Sequence, residues 1–435
     1  MKMKPVEYRE VFPARVFWIV SAATAFVLLL PSARTHFFDL GFRWLYILLF
    51  SFSFAGALTP VVKRVALRLN MVDMPGGRKI HERRTPLLGG IPVIIAFNAA
   101  LFANMVPDRD MVVLLAGGLV VAAVSAVDDW KEIPARFKLF VQIVVVLLMI
   151  HQGIVLDLFP IRETWGKVMN VVFTILWIVG ITNAMNFIDG MDGLAAGVAA
   201  IISFFMGIVA YQTYQPVMGW IALALLGSCL GFLPYNFTRK RQASIFLGDT
   251  GSTFLGFILA ALAVKGEWSS TSEIVSFSAP VLIFWILIFD MSYITVERIL
   301  TGKVKTFRQW VDYVGKDHIH HRLYELLGDR RKAVLFIYFI CATLGISAIA
   351  LRNARPIDGI LLVFQAFLIT VIVSIAEYSG RKRENGHAGT EAPAPERKEV
   401  EVMNARPGVE ALAQGTPGPP EPPTTSAKAV MQRPL

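Results

Sequence analysis

The chain is poor in charge and poorer still in cysteine. Only 17% of its 435 residues are Asp, Glu, Lys or Arg, against about 25% in an average soluble domain. Two cysteines occur, Cys229 and Cys341, and each lies inside an apolar run. That argues against a disulfide scaffold and against a cysteine zinc site. No internal repeat is visible. No small-residue cleavage site follows the first apolar run at 16–30, and further runs come after it. The N-terminus therefore reads as an uncleaved first span rather than a removed signal. What the chain does have is apolar length. It is 55% hydrophobic and 11% aromatic, with a mean hydropathy of +0.57. This is the pattern of an all-α, polytopic membrane protein.

Spans are expected near 14–31, 44–62, 88–106, 111–127, 138–156, 168–184, 194–213, 217–235, 252–264, 274–296, 333–351 and 357–378. That makes about eleven or twelve. If the N-terminus is cytoplasmic, the inside segments are 61–87, 128–138, 236–250, 297–332 and the tail. They carry most of the Lys and Arg, among them Lys63, Arg64, Lys131, Arg136, Arg239, Lys240, Arg241 and Arg308. Outside loops hold scattered single charges such as Arg34, Arg109, Lys167 and Lys265. The positive-inside rule then orients the protein. Its place is the plasma (inner) membrane, with the tail in the cytoplasm. Three regions follow: 1–43, a first helix and external loop; 44–378, the polytopic domain; and 379–435, a tail. The tail holds nine of the 23 prolines and almost no aromatics, a composition that cannot bury a core and is expected to be disordered.

Under that topology the unusual polar stretches share one face. They are RKIHERRTPLLGG at 78–90, SAVDDWK at 125–131 with ARFKLF just after, NAMNFIDGMDGLA at 183–195, PYN at 234–236, SIFLGDTGS at 244–252 and KDHIHHRL at 316–323. In the third of these, Asn186, Asp189 and Asp192 recur every third residue between two apolar runs. Taken alone it reads equally well as a solvated loop. Together the stretches read as an active-site face. Asp128, Asp129, Asn186, Asp189, Asp192 and Asp249 are hard oxygen donors, sufficient for Mg²⁺, which shares its shell with substrate phosphates. Lys79, Lys131, Lys138 and the histidines suit phosphate oxygens. Three of seven histidines, His318, His320 and His321, crowd into four residues. Zinc is the competing reading for them, but zinc would want further nitrogen or sulfur ligands. GDTGS resembles a phosphate-cradling turn at a helix start.

TPLLGG, DDW, NAMNFIDGMDGLA, FLGDTGS and HIHHRL, in this order, resemble the polyprenyl-phosphate N-acetylhexosamine-1-phosphate transferases, over roughly 44–378. The resemblance implies transfer of a sugar-1-phosphate from a UDP-N-acetylhexosamine to undecaprenyl phosphate, with UMP released and Mg²⁺ or Mn²⁺ required. It implies that Asp249 and Asn186 are metal ligands. By the same resemblance Asp128 and Asp129 are the paired acids near the lipid phosphate, and Lys138 binds pyrophosphate; Asp189 is expected to be catalytic with the two acids, and Lys79 to bind substrate phosphate. Phe246 stacks on uracil, Asp192 contacts the base, and His318, His320 and His321 lie near diphosphate and sugar. Asn236 matches a family asparagine, although its spacing to Asp249 is longer than in some relatives. Asp290, inside a span, is an acid in a costly place; the family has one there, and its role is not given by the resemblance.

HIHHRL differs from the three consecutive histidines of the phospho-MurNAc-pentapeptide branch and looks like the GlcNAc-1-phosphate branch, which initiates envelope polysaccharides such as those of lipopolysaccharide. The pentapeptide branch is the enzyme alternative. A polytopic transporter is the alternative from another class, but its site would lie near the midplane. Membrane lipid is an expected partner and nucleic acid is not. The sequence leaves open the exact sugar, the pathway and the oligomeric state, a homo-oligomer included.

Overall fold

The computed structural model describes residues 12–74, 84–104, 108–238, 242–269, 271–313, 315 and 317–388. In chain order come α1 (Phe12–Leu29), α2 (Pro31–Asp39), α3 (Arg43–Arg68), a ribbon of β1 (Val72–Asp73) and β2 (Thr85–Pro86), then α4 (Gly90–Ala103), α5 (Arg109–Trp130) and α6 (Ala135–His151). They are followed by α7 (Thr164–Ile188), α8 (Leu194–Gln212), α9 (Pro216–Asn236), α10 (Gly248–Lys265), α11 (Glu273–Ile283) and α12 (Trp285–Leu300). The last are α13 (Phe307–Asp312), α14 (Ile319–Leu327), α15 (Arg330–Ile349) and α16 (Pro356–Ala388). The fold is all-α, as expected.

Each of the twelve apolar stretches falls on a helix or a bent helix pair. Among the described residues seven helices are long and apolar enough to cross a membrane, or nine if each bent pair counts as one. The bent pairs are 14–29 with 31–39, at 77°, and 275–283 with 285–300, at 76°. The remaining three stretches are α4, α6 and α10, with 14, 17 and 18 residues. At 1.5 Å per residue they reach about 21–27 Å, slightly less than a hydrocarbon core of about 30 Å. α16 continues to Ala388, past the end read from the sequence; the rest of the tail lies outside the described residues.

α10 is the axis of the bundle. Every residue from Thr250 to Val264 is buried, and α4, α5, α7 and α8 pack around it. In lipid, helices associate through close packing of small residues more than through hydrophobic drive. Gly117 and Gly118 of α5 seat Phe257, Ile258 and Phe254 of α10, and Gly256 of α10 touches Thr182 and Met185 of α7. The outer helices show apolar side chains, such as Phe140, Leu176, Phe339 and Ile372, which face lipid. α16 is the most peripheral: only 17% of its span is buried.

Candidate active site

The polar N-terminus of α10 is built by contacts from far along the chain. Asp129, on the last turn of α5, accepts from the Asp249 and Thr250 N–H groups at 3.0 Å each and from Thr250 Oγ1 at 2.6 Å. It thus supplies from a distance the cap that a helix start requires. Its neighbour Asp128 takes the Ile133 N–H at 2.7 Å and an ion pair with Lys138 Nζ at 2.6 Å. The same Nζ lies 3.1 Å from Asp249 Oδ2. Lys138 therefore bridges the first acid of DDW to the acid of FLGDTGS.

The stretch 183–195 lies against this centre. Asn186, on the last turn of α7, donates Nδ2–H to Ser252 Oγ at 3.0 Å. Asp189 follows at the end of α7. Burial, then the charges of Asp249, Asp129 and Asp192, raise its carboxyl well above the ordinary value. Asp192 Oδ2 accepts from the Ala243 N–H at 2.7 Å. Gly193 takes φ 81° at the start of α8, a conformation that favours glycine. Its N–H donates to Asn236 Oδ1 at 2.8 Å, and Asn236 Nδ2 donates to the Ile245 carbonyl at 3.0 Å. Asn236 is buried, with both ends of its amide engaged, so it ties two loops together.

TPLLGG also finds its place. The Phe246 N–H donates to the Pro86 carbonyl at 2.9 Å, Gly89 N–H to Phe246 O at 2.9 Å, and Gly90 N–H to Leu247 O at 2.8 Å. A Cβ on Gly90 would fall 2.3 Å from Gly251 Cα and N, so backbone meets backbone there. This stitching holds Phe246, half-buried, beside the α10 start.

The histidine motif closes the site. Asp290, in α12, accepts from His318 Nδ1 and from the Ile319 N–H, both at 2.7 Å. The sequence marked Asp290 as unusual; its work is to anchor the start of α14. The His318 ring stacks on Phe187, 5.3 Å between centroids and 30° between planes. His320 is 1% exposed and neither ring nitrogen has a hydrogen-bond partner among the described residues. A Cβ on Gly190 would meet its Nε2, which explains the glycine after Asp189. Burial, then His321, His318 and Arg322, hold the His320 imidazole well below its ordinary pKa. His321 lies 4.2 Å from His320, ring to ring. Arg298, which the sequence gave no reason to single out, holds Asp317 by two hydrogen bonds of 2.7 and 2.8 Å. Burial raises the Asp317 carboxyl, and the Arg298 hydrogen bonds outweigh it and hold the group below its ordinary value.

The structure therefore brings Asp128, Asp129, Lys138, Asn186, Asp189, Asp192, Asn236, Phe246, Asp249 and the three histidines to one end of the bundle. Lys79 lies outside the described residues. Among the described residues no three His, Cys, Asp or Glu side chains form a metal cage. Mg²⁺ does not need one, because it binds through one or two carboxylates plus substrate phosphates. Asp249, Asn186 and Asp189 carry hard oxygens of the kind that could hold such an ion.

A model described as glycosyl transferase family 4 matches residues 111–267. The chain is 34% identical over 332 residues to a probable undecaprenyl-phosphate N-acetylglucosaminyl 1-phosphate transferase of Bacillus subtilis (strain 168), covering 75% of this chain and 89% of that protein. The chain belongs to glycosyl transferase family 4. Other relatives include a decaprenyl-phosphate N-acetylglucosaminephosphotransferase of Mycobacterium leprae (strain TN), 29% identical over 362 residues, covering 75% of this chain and 88% of that one. An undecaprenyl-phosphate alpha-N-acetylglucosaminyl 1-phosphate transferase of Yersinia pestis is 29% identical over 308 residues, covering 68% and 81%. The names of these relatives agree with the branch that HIHHRL suggested.

Proposed function

We propose that this multi-pass membrane protein transfers GlcNAc-1-phosphate from UDP-GlcNAc to undecaprenyl phosphate and releases UMP, as the first step of an envelope polysaccharide. The carrying observation is Lys138, which touches Asp128 at 2.6 Å and Asp249 at 3.1 Å beside the capped start of α10. The obstacle to such a reaction is bringing two polyanions together. A phosphate oxygen of the lipid attacks the β-phosphorus of the UDP-sugar. The bond to the bridging oxygen breaks, and UMP leaves with the electron pair. Lys138 steadies phosphate charge, and Asp128 orients the lysine. Asp249, Asn186 and Asp189 would hold Mg²⁺ or Mn²⁺, which would supply positive charge against the diphosphate. Phe246 and Asp192 face the nucleotide base, and His318, His320 and His321 face the diphosphate and sugar. Asp129 and Asn236 hold the loops. A single displacement suffices, because the lipid phosphate is already an anion. The charged loops that flank the site favour a cytoplasmic face of the plasma membrane.

The test gives membranes containing the protein radiolabelled UDP-GlcNAc, undecaprenyl phosphate and Mg²⁺, and scores labelled lipid and UMP. Transfer from UDP-GlcNAc but not from UDP-MurNAc-pentapeptide is expected. The reverse preference would assign the pentapeptide branch, and neither product would return the protein to the transporter class.

A further inference from the structure

α16 lies at the edge of the bundle, yet one of its side chains is a buried acid. Gly359, Ala366, Thr370 and Glu377 are buried, at spacings that keep them on one helix face. The first three are small, and Gly359 rests on Ser278 of α11. The fourth is a carboxylate, 1% exposed. Acids inside membrane segments are rare and costly, and they normally serve function.

Glu377 Oε2 lies 3.6 Å from Nε of Arg322, which is itself 3% exposed. The Arg322 guanidinium sits 4.0 Å over the Tyr293 ring, and its Nη2 lies 4.0 Å from Asp290 Oδ1. Asp290 takes the hydrogens of His318 Nδ1 and Ile319 N. Since a carboxylate accepts, His318 Nδ1 carries the hydrogen of this contact, which fixes the ring's orientation. A continuous chain thus runs from α16 through α14 and α12 to a ring stacked on Phe187, next to Asn186. Fastening α16 alone does not account for it. Well-packed apolar residues hold elements together as well as a buried ion pair does, or better. What charges add is direction.

We propose that Glu377 is a positioning residue for the histidine motif: through Arg322 it sets the place of Asp290, and Asp290 sets the ring of His318. The proposal rests on the transferase reading given above. Its test uses the full-length protein in membranes with two readouts. One is kinetic; the other is the reaction of histidines with diethyl pyrocarbonate, mapped by mass spectrometry, which needs no turnover. Glu377→Gln should lower kcat about tenfold and leave the KM for undecaprenyl phosphate within about twofold. His318 should become more reactive to the reagent, while the exposed His36 and His151 stay as they were. Arg322→Lys, a second variant, should give the same signature. Ala366→Leu disturbs the same helix face without touching a charge, and should not. If Ala366→Leu reproduces both effects, or if Glu377→Gln changes neither, Glu377 is only a fastener and the proposal fails. If the wild-type protein transfers nothing from UDP-GlcNAc, the functional reading fails, and the labelling still decides the relay.

Discussion

Asp128 and Asp129 are adjacent and chemically identical, and the helix turns them about 100° apart. That rotation gives them different work. Asp129 spends both oxygens on the start of α10, and Asp128 spends one on Lys138. Asp129→Ala should therefore lower stability by about 1–3 kcal/mol, the usual cost of orphaned buried donors, and lose transfer with it. Asp249→Asn should keep its thermal transition and lose about a hundredfold or more in kcat, because a metal clamp supplies several kcal/mol of transition-state stabilisation. Thermal unfolding in detergent beside the radiolabel assay separates the two; equal unfolding temperatures for both variants would refute the division. Asp192 makes a third case. Its Oδ2 accepts from the Ala243 N–H, and in the proposed reaction it faces the nucleotide base. Asp192→Ala should raise the KM for UDP-GlcNAc more than the KM for undecaprenyl phosphate, and equal rises would return it to a loop fastener. The sequence showed that these acids were unusual, through their place between apolar runs. It did not show which capped and which paired, because that depends on the angle at which α5 meets α10.

Elements were legible where composition is enough to define them. Each apolar stretch became a helix, because lipid offers no other partner for backbone polar groups. Bends were not legible. The stretch at 274–296 reads as one span, yet α11 and α12 meet at 76°. Hydropathy averages over a window and carries no direction. The bend matters, because it lays α12 against α7 and brings Asp290 under the histidine motif. Close approach was also hidden. TPLLGG could be quoted from the sequence, but its glycines gain meaning only against Gly251 and Phe246. A Cβ at Gly90 would meet backbone atoms at 2.3 Å, which cannot swing aside as a side chain can. Gly90→Ala should thus displace the α10 start and remove most transfer activity. Gly180→Ala is the counter-case, since nothing lies within 4 Å of the added methyl. It should leave transfer alone and gain up to about 1 kcal/mol from helix propensity. A silent Gly90→Ala would mean that the contact between the TPLLGG segment and α10 is slack.

Over the whole molecule, the sequence reading placed its polar stretches on one face, and the fold gathers the described ones at one end of the bundle. What it could not place were pairs more than a hundred residues apart, such as Asp129 with Thr250 or Gly193 with Tyr338, whose hydroxyl donates to the Gly193 carbonyl. Glu377 was hidden too, although its partner Arg322 is nearer in the chain: its burial sets it apart on a mostly exposed helix. His320 shows how one such buried group acts on the stability of the entire fold. Its imidazole is held well below the ordinary value, first by burial and then by His321, His318 and Arg322. In the unfolded chain the same ring takes a proton near pH 6.5. Below about pH 6.5 the unfolded state therefore binds more protons than the fold does, and stability must fall as pH falls. Above that pH the ring is neutral in both states and contributes no slope. The loss is at most about 1.4 kcal/mol per pH unit, until the folded-state pKa is reached. Carboxylates titrate lower and add their own losses there, so the informative comparison is between about pH 7.5 and pH 5.5. Across that window the thermal transition of the wild-type protein in detergent should drop further than that of His320→Gln, which has no proton to gain. Parallel slopes would mean that His320 takes its proton in place, and that the pocket beside Gly190 admits water despite its burial.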